Sequence, residues 1–267
     1  MKSYIQVTQH PLMQLIAGPI SWTLFAWLTV SIKHQNINWL NLVLLLVFTI
    51  LANLLDHYQY YHFIRKDHKA NSPLIYYGIL TGLILTAIMF MINQHIIIIS
   101  MVIVYLLVNI LQYQPISLIR TAYYGILKVF FTGFLLNVIA YYSQANQINQ
   151  SNLLSFIPIV VFFAGIEINQ EALKGIYPPL INLSKRFKAF NLITYLIIAL
   201  AIGLGVYLSL PSKSFYLVQI LFALASLFLA SPLLVRVEQT KKVQNKLNYH
   251  NFLSLVVILL YSLAYLY

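Results

Sequence analysis

The sequence predicts an all-α integral membrane protein with about nine transmembrane helices and a cytoplasmic N-terminus. Three observations predict this fold class. Hydrophobic residues make up 61% of the 267 residues and charged residues only 8%, whereas a soluble domain is about 25% charged. Apolar stretches long enough to cross about 30 Å of hydrocarbon as helices recur along the chain. The basic residues cluster at alternate ends of those stretches.

Nine apolar stretches qualify as spans, and they are expected to be helices because the alternating segments of a membrane barrel are absent. They lie at 11–32, 38–56, 74–92, 95–113, 121–142, 152–168, 190–210, 214–235 and 250–267. No soluble domain interrupts them, so residues 1–267 are expected to form a single polytopic membrane domain.

Two predicted loops, 57–73 and 169–189, are unusually long and lie four spans apart. A tandem duplication of a four-helix unit would produce this spacing. The repeat units would then be approximately 11–113 and 121–235, followed by a final span at 250–267.

The basic residues predict the orientation of the chain. With the N-terminus inside, every Lys and Arg except Lys33, Lys213 and Lys128 falls in an inside segment, and Lys128 lies within the fifth span. This asymmetry follows the positive-inside rule and predicts a multi-pass protein of the cell membrane. The net charge of +11 is therefore interpreted as topology, with the lipid bilayer and no nucleic acid as partner.

Acidic residues are scarce, and four of the five lie at or beside the ends of the second and sixth spans. These four are Asp56, Asp67, Glu167 and Glu171. Glu167 and Glu171 share one helical face, as do Asn53 and Asp56. Neighbouring carboxylates favour a cation between them, and Mg²⁺ takes such oxygen ligands and bridges them to substrate phosphates. The alternative is a solvated helix end in which Glu171 pairs with Lys174.

Lys128 is a second anomaly, because a charge deep in a span costs about 2.5–3.5 kcal/mol on insertion scales and usually has a function. Arg120 lies eight residues earlier, on roughly the same helical face. Two cations opposite a carboxylate–metal site would suit a diphosphate. The alternative is that the long side chain of Lys128 extends to the membrane interface.

These segments resemble the UbiA superfamily of intramembrane prenyltransferases, which have nine helices, a cytoplasm-facing cavity and two aspartate-rich motifs. The segment Glu167-xxx-Glu171-xxx-Gly175 is similar to the second motif, with Glu in place of Asp. Residues 53–61 resemble the first motif, and their aromatic run is closest to the 1,4-dihydroxy-2-naphthoate polyprenyltransferases. In that segment His57 and Tyr60 stand where acids are expected.

A third segment extends the resemblance. Tyr113-x-Pro115, together with Arg120 and Lys128, looks like the basic segment that contacts the diphosphate in some branches of the superfamily. The similarity covers the whole chain by topology and these three segments by motif.

The resemblance implies Mg²⁺-dependent transfer of a polyprenyl group from a prenyl diphosphate to an aromatic quinone precursor, on the cytoplasmic side. The implied metal ligands are Asn53, Asp56, Asp67, Glu167 and Glu171. Arg120, Lys128 and Lys174 would bind the diphosphate. The implied catalytic residues are Lys128 and Arg120, which would neutralise the leaving group, and Tyr58 and Tyr61, whose rings would stabilise an allylic cation by cation–π attraction.

Three other functions stay open at this point. One is a catalytically degenerate protein of the same fold that binds an isoprenoid or quinone, which the missing acids at positions 57 and 60 favour. Another is a small-solute transporter that uses the intramembrane charges Glu167 and Lys128. A metalloenzyme built on His57, His62 and His68 is disfavoured, because spacings of five and six do not align imidazoles on one helical face.

Overall fold

A computed structural model describes most of the chain. The described residues are 11–33, 37–65, 72–92, 94–113, 116–175, 179, 182, 189–210, 216–235 and 240–267. Within these ranges every regular element is a helix, which confirms the predicted all-α class for this part of the protein.

The described elements group into nine helices, labelled α1 to α9. Their bounds are α1 Pro11–Lys33; α2 Trp39–Gln59, continued by a π-helical segment Tyr60–Arg65; α3 Pro73–Met91; α4 Ile96–Leu111; α5 Ala122–Val129, a π-helical segment Phe130–Leu135 and Leu136–Ala145; α6 Gln150–Ser155 and Ile157–Lys174; α7 Phe190–Ser209; α8 Leu217–Ala230, continued by a 3₁₀ turn Ser231–Leu234; and α9 Thr240–Leu266. A 3₁₀ turn, Leu118–Arg120, precedes α5.

Eight helices in the described ranges are long and apolar enough to cross a membrane, so the protein is a multi-pass membrane protein. The fourth predicted span corresponds to α4, which is apolar but has only 16 residues. The outward surface of the bundle is apolar: Leu74 is 81% and Phe228 78% exposed. Apolar surface of this extent is compatible with lipid and not with water.

Several helices pack on α1. Helix α1 contacts α9 most extensively and also packs on α5 and α2. Helix α2 packs on α3, and α6 packs on both α5 and α7. The order of contacts in α1–α2–α3 therefore recurs in α5–α6–α7, as the predicted four-helix repeat would require. The repeat itself stays a prediction.

Three predicted boundaries are wrong, and in each case a helix continues through a polar stretch. Helix α2 runs on to Arg65 and α6 to Lys174, so the predicted loops at 57–73 and 169–189 begin as helix. Helix α9 begins at Thr240, ten residues before the predicted span. Polar residues in these extensions, such as Gln59 and Asn248, are buried against neighbouring helices. Their polarity reflects a polar interior and not a loop.

One end of the bundle collects the first turns of α1, α5 and α9 and the last turns of α2 and α6; we call it the site end. Lys246, in the second turn of α9, joins this end to α8 by donating to the carbonyls of Leu233 and Val235, at 2.8 Å each. At the opposite end, Nζ of Lys33 on α1 lies 5.1 Å from the ring centroid of Tyr265 on α9.

Candidate functional site

A polar cavity of about 100 Å³ opens at the site end between α1, α2, α5, α6 and α9. Its charged lining residues, in the part of the chain that the structure describes, are Asp56, Lys128, Glu167 and Lys174. They come from α2, α5 and α6, which carry the three segments that the sequence singled out. A cavity of this polarity inside an otherwise apolar bundle is the default location for a ligand.

Lys128 lies between the acids of two different helices. Its Nζ is 3.4 Å from Oε2 of Glu167 on α6 and 3.7 Å from Oδ2 of Asp56 on α2. The three side chains are between 6% and 19% exposed. Lys128 therefore points into the bundle and not towards the interface, so the alternative of an interfacial lysine is wrong.

Asp56 is held by a shell of neutral donors as well as by Lys128. Its Oδ1 accepts hydrogen bonds from the Tyr113 hydroxyl at 3.0 Å, the Gln112 amide at 3.1 Å and the Tyr124 hydroxyl at 3.4 Å. Three donors on one oxygen stabilise Asp56 in its charged form.

Glu171 lies one turn beyond Glu167 and packs against the start of α5. A Cβ atom placed on Gly125 would be 3.0 Å from Oε1 of Glu171, so a larger residue here would displace this carboxylate by a few tenths of an ångström. Both Glu167 Oε2 and Glu171 Oε1 are buried and accept no hydrogen bond from the described residues. Two carboxylate oxygens without a hydrogen bond therefore lie against the same strip of α5: Glu171 Oε1 beside Gly125, and Glu167 Oε2 beside its ion-pair partner Lys128.

Lys174 is the last residue of α6, three residues beyond Glu171, and it lines the cavity. Its Nζ lies 5.8 Å from the ring centroid of Tyr60, within cation–π range. Its backbone carbonyl accepts a hydrogen bond from the Tyr60 hydroxyl at 3.4 Å. Within the described residues no ion pair joins Lys174 to Glu171, so the structure does not contain the simple helix-end pair considered as an alternative.

Three other predicted site residues are described, and two of them line the cavity. Asn53 and Tyr61 line the cavity, and the Asn53 amide also donates to the Leu15 carbonyl of α1 at 3.3 Å. Tyr58 is not among the cavity-lining residues that the structure describes; its hydroxyl donates to the Ser72 carbonyl at 2.8 Å and its ring contacts Tyr76.

Two predicted site residues lie wholly or partly outside the described structure. Asp67 is not among the described residues, and Arg120 is described only by its backbone, in the 3₁₀ turn that leads into α5.

Sequence reasoning missed the wall of the cavity that α9 supplies. Gln244, Asn248, Asn251 and Ser254 line the cavity from α9. Their spacing of three or four residues places them on one helical face. The signal was visible as a polar stripe running into an apolar span, but a search for charged residues passes over amides and hydroxyls.

The Mg²⁺ ion that the resemblance implies can be tested against these oxygens. No three His, Asp or Glu side chains of the described residues form a ligand cluster. Mg²⁺, however, is commonly held by one or two carboxylates, with substrate phosphates and waters completing its shell. Glu171 fits this role, because its Oε1 is buried without a donor. Glu167 Oε2 accepts no hydrogen bond either, but it lies 3.4 Å from the Lys128 ammonium. Asp56 fits it poorly, because Oδ1 already accepts three hydrogen bonds and Oδ2 faces Lys128.

The chain matches no protein-family model, and no curated protein or solved structure shows significant similarity to it.

Proposed function

We propose that this protein is an intramembrane prenyltransferase of the UbiA type, which moves a polyprenyl group from a prenyl diphosphate to an aromatic quinone precursor. The observation that carries the proposal is one polar cavity in an apolar bundle that two carboxylates and two lysines line, with a third carboxylate, Glu171, buried one turn beyond Glu167. A diphosphate needs cations, and its isoprenoid chain needs lipid. The cavity supplies the cations, and the lipid around the apolar bundle would accommodate the isoprenoid chain.

Each charged residue then has a role. Glu167 and Glu171 would hold Mg²⁺, which when bound would supply positive charge against the leaving diphosphate. Lys128 and Lys174 would donate to the diphosphate oxygens. Asp56, fixed by its shell of donors, would keep the Lys128 ammonium oriented towards the cavity. Arg120 remains a proposed diphosphate ligand and Asp67 a proposed metal ligand.

The chemical step balances within the two substrates. The bond between the prenyl C1 and the diphosphate oxygen breaks, and its electron pair leaves with the diphosphate. A ring carbon of the acceptor bonds to C1, and the proton on that ring carbon passes to the released diphosphate. The faces of Tyr60 and Tyr61 would stabilise positive charge on the prenyl group in between. Tyr58, which bonds to Ser72, is expected to support α2 and not to contact the substrate.

Orientation is part of the same proposal. The distribution of Lys and Arg supports a cytoplasmic location for the N-terminus and the cavity, in the cell membrane. Charged prenyl diphosphate would then enter the cavity from the cytoplasm.

The test is Mg²⁺-dependent diphosphate release from a long-chain prenyl diphosphate, with a naphthol acceptor, by the purified protein in nanodiscs. We expect Glu167→Gln and Glu171→Gln each to lower the rate about a hundredfold or more, because each removes a charged ligand. Glu238→Gln is the matched control, since this glutamate lies in another segment of the sequence. Release that is independent of Mg²⁺, or unchanged in both site variants, would contradict the proposal.

A second candidate is a non-catalytic member of the same fold that binds an isoprenoid or quinone. The observation in its favour is Asp56, whose oxygens are already occupied by Gln112, Tyr113, Tyr124 and Lys128, so that the first motif has little capacity left for an ion. Saturable binding of prenyl diphosphate, with no diphosphate release at any Mg²⁺ concentration, would support this candidate over the enzyme.

A further inference from the structure

The Lys128 ammonium lies between carboxylates of two different helices, where a divalent cation could otherwise bridge them. Its Nζ is 3.4 Å from Oε2 of Glu167 on α6 and 3.7 Å from Oδ2 of Asp56 on α2. In the described structure Lys128 is the partner of both oxygens, because the side-chain hydrogen bonds of Asp56 all go to Oδ1 and Oε2 of Glu167 accepts none. Buried carboxylates that face each other need a cation between them, which an ammonium or a metal ion can supply.

The surroundings of Nζ suit a fixed cation. The ring centroid of Tyr124 lies 5.6 Å from Nζ, which adds cation–π attraction to the two ion pairs. The Lys128 side chain is only 17% exposed, and it lines the polar cavity. An ammonium has three N–H groups, so one of them remains for an anion in the cavity beside the two ion pairs.

A divalent ion cannot share this position with Lys128. To bridge Asp56 and Glu167 it would have to bind the two oxygens that face Nζ, because Oδ1 of Asp56 already accepts three hydrogen bonds. It would then lie within about 4 Å of the ammonium, and like charges at that distance repel strongly in a low-dielectric interior. The acids of α2 and α6 are therefore bridged by Lys128 or by a metal ion, but not by both.

The space around Lys128 would admit a metal ion if the side chain were truncated. A second cavity, of about 30 Å³, lies between α2, α4 and α5 beside the polar cavity of about 100 Å³, and Asp56, Tyr124 and Lys128 line both. Alanine at position 128 would enlarge this space enough for a cation that keeps some of its waters. The two carboxylates would each have to move by roughly 1–2 Å to reach a metal–oxygen distance of about 2.1 Å.

We propose that Lys128 is a built-in cation that replaces a divalent ion between Asp56 and Glu167, so that Asp56 takes no part in metal binding. A metal requirement of the site is then confined to α6, where Oε1 of Glu171 is buried without a donor. This inference goes beyond the proposed function, because it concerns which cation joins α2 to α6 and holds whatever substrate the cavity binds.

The experiment asks whether a metal ion can replace the missing ammonium. Thermal unfolding of full-length wild type and of Lys128→Ala is followed in detergent, with and without Mn²⁺, which prefers oxygen ligands. We expect Lys128→Ala to unfold at a lower temperature than wild type, and saturating Mn²⁺ to raise its midpoint by about 5 °C or more. The midpoint of wild type should rise much less. An equal rise in both proteins, or no rise in Lys128→Ala, would overturn the inference.

Two further lysine variants are controls. Lys128→Arg keeps a cation between the acids, so Mn²⁺ should stabilise it no more than wild type. Lys246→Ala removes another buried lysine of the site end, whose Nζ donates to the carbonyls of Leu233 and Val235 and pairs with no carboxylate of the described residues. Mn²⁺ should therefore not restore the stability of Lys246→Ala. A rise as large as that of Lys128→Ala would overturn the inference, because it would show a general effect of Mn²⁺ on weakened variants.

Counting bound Mn²⁺ keeps the inference testable even if Lys128→Ala folds poorly. Electron paramagnetic resonance measures free Mn²⁺ and so gives the number of ions bound per chain. In the wild-type background Asp56→Asn should leave this number unchanged, and loss of a bound ion in that variant would overturn the inference. Lys128→Ala should bind one ion more than wild type, and adding Asp56→Asn should remove that ion, because Asp56 is then a ligand.

Failure of the inference and failure of the proposed function give different results, since none of these measurements uses a prenyl substrate. If wild type releases diphosphate from a prenyl diphosphate but Mn²⁺ does not stabilise Lys128→Ala, only the inference is overturned. If Lys128→Ala gains an ion that depends on Asp56 but wild type neither binds nor cleaves prenyl diphosphate, the prenyltransferase proposal is overturned and the role of Lys128 as a built-in cation remains.

Discussion

At the scale of single residues, Lys128 determines whether the site can exist. Its ammonium is the charge nearest to both Asp56 and Glu167, and all three side chains are largely withdrawn from solvent. Removing one partner of a buried ion pair is far more costly than replacing the whole pair, because the remaining charge stays buried without compensation. The stability of the cluster therefore depends on matched charges and not on any single contact.

Lys128→Met tests this dependence, since methionine fills a similar volume without the charge. We expect the free energy of unfolding to fall by about 3 kcal/mol, the usual cost of breaking a buried pair. The midpoint of thermal unfolding in detergent measures the change. Adding Asp56→Asn and Glu167→Gln to Lys128→Met should recover part of the loss. A single variant as stable as wild type would show that the acids do not depend on this lysine.

At the scale of helices, the site depends on how closely α5 and α6 approach each other. A Cβ atom on Gly133 of α5 would lie 2.8 Å from the Cα atom of Val160 on α6. A backbone atom cannot swing aside as a side-chain terminus can, so the two helices would have to separate. Since α5 carries Lys128 and α6 carries Glu167, their separation would also widen the cluster.

Gly133→Ala should therefore lower the free energy of unfolding by about 1–3 kcal/mol, as overpacking of a tight contact does. Gly78→Ala is its matched control, because no atom lies within 4 Å of the added methyl group and alanine favours a helix interior. Thermal unfolding of the two variants in the same detergent gives the comparison. Equal unfolding midpoints would mean that the contact between α5 and α6 can accommodate the added methyl group.

The rotation of α6 about its axis is set by a polar side chain on the face opposite its glutamates. Asn169 lies between Glu167 and Glu171 in sequence, and its Oδ1 contacts Nε2 of His250 on α9 at 3.2 Å. Its amide donates to Oγ1 of Thr194 on α7 at 3.1 Å. Three helices thus meet at one fully buried amide.

Replacing this amide should loosen α6 without touching the acids. Asn169→Leu is expected to lower the free energy of unfolding by about 1–3 kcal/mol, because His250 and Thr194 lose a buried partner. It should also raise amide hydrogen exchange in α6, which mass spectrometry can localise. Exchange that increases equally in every helix would indicate a global loss of stability and not a loss of the α6 anchor.

At the scale of the whole molecule, composition and charge alone predict a helical, multi-pass protein, and they identify the region of the site. Scarce acids and one lysine within a span were sufficient to select Asp56, Glu167, Glu171 and Lys128. The partners of Asp56 were not predictable, since nothing local in the sequence relates Gln112 and Tyr124 to a residue more than 50 positions earlier. The polar residues with which α9 lines the cavity were missed for a different reason: amides change a hydropathy profile little, and their role depends on which face of α9 meets the cavity.

The predicted orientation can be tested with thiol labelling, because the chain contains no cysteine. Ser72→Cys, at the start of α3, should react with a membrane-impermeant maleimide from the cytoplasmic side only. Ser151→Cys, in the first turn of α6, should react from the opposite side only. Labelling in right-side-out and inverted vesicles shows from which side each cysteine reacts. A reversed pattern would place the cavity on the outer side of the membrane.

The π-helical segment Phe130–Leu135 in the middle of α5 has a consequence for insertions and deletions. A π-turn accommodates one residue more than the α-helix on either side of it, so it is the form that a single inserted residue takes in a helix. Deleting one residue here would restore a continuous α-helix while the two halves of α5 keep nearly their present rotation, because the π-turn already absorbs one residue. Lys128 would therefore still face Asp56 and Glu167, whereas the same deletion in a helix without a π-turn would rotate one half by about 100° relative to the other. The segment thus allows α5 to lose one residue without displacing this cation.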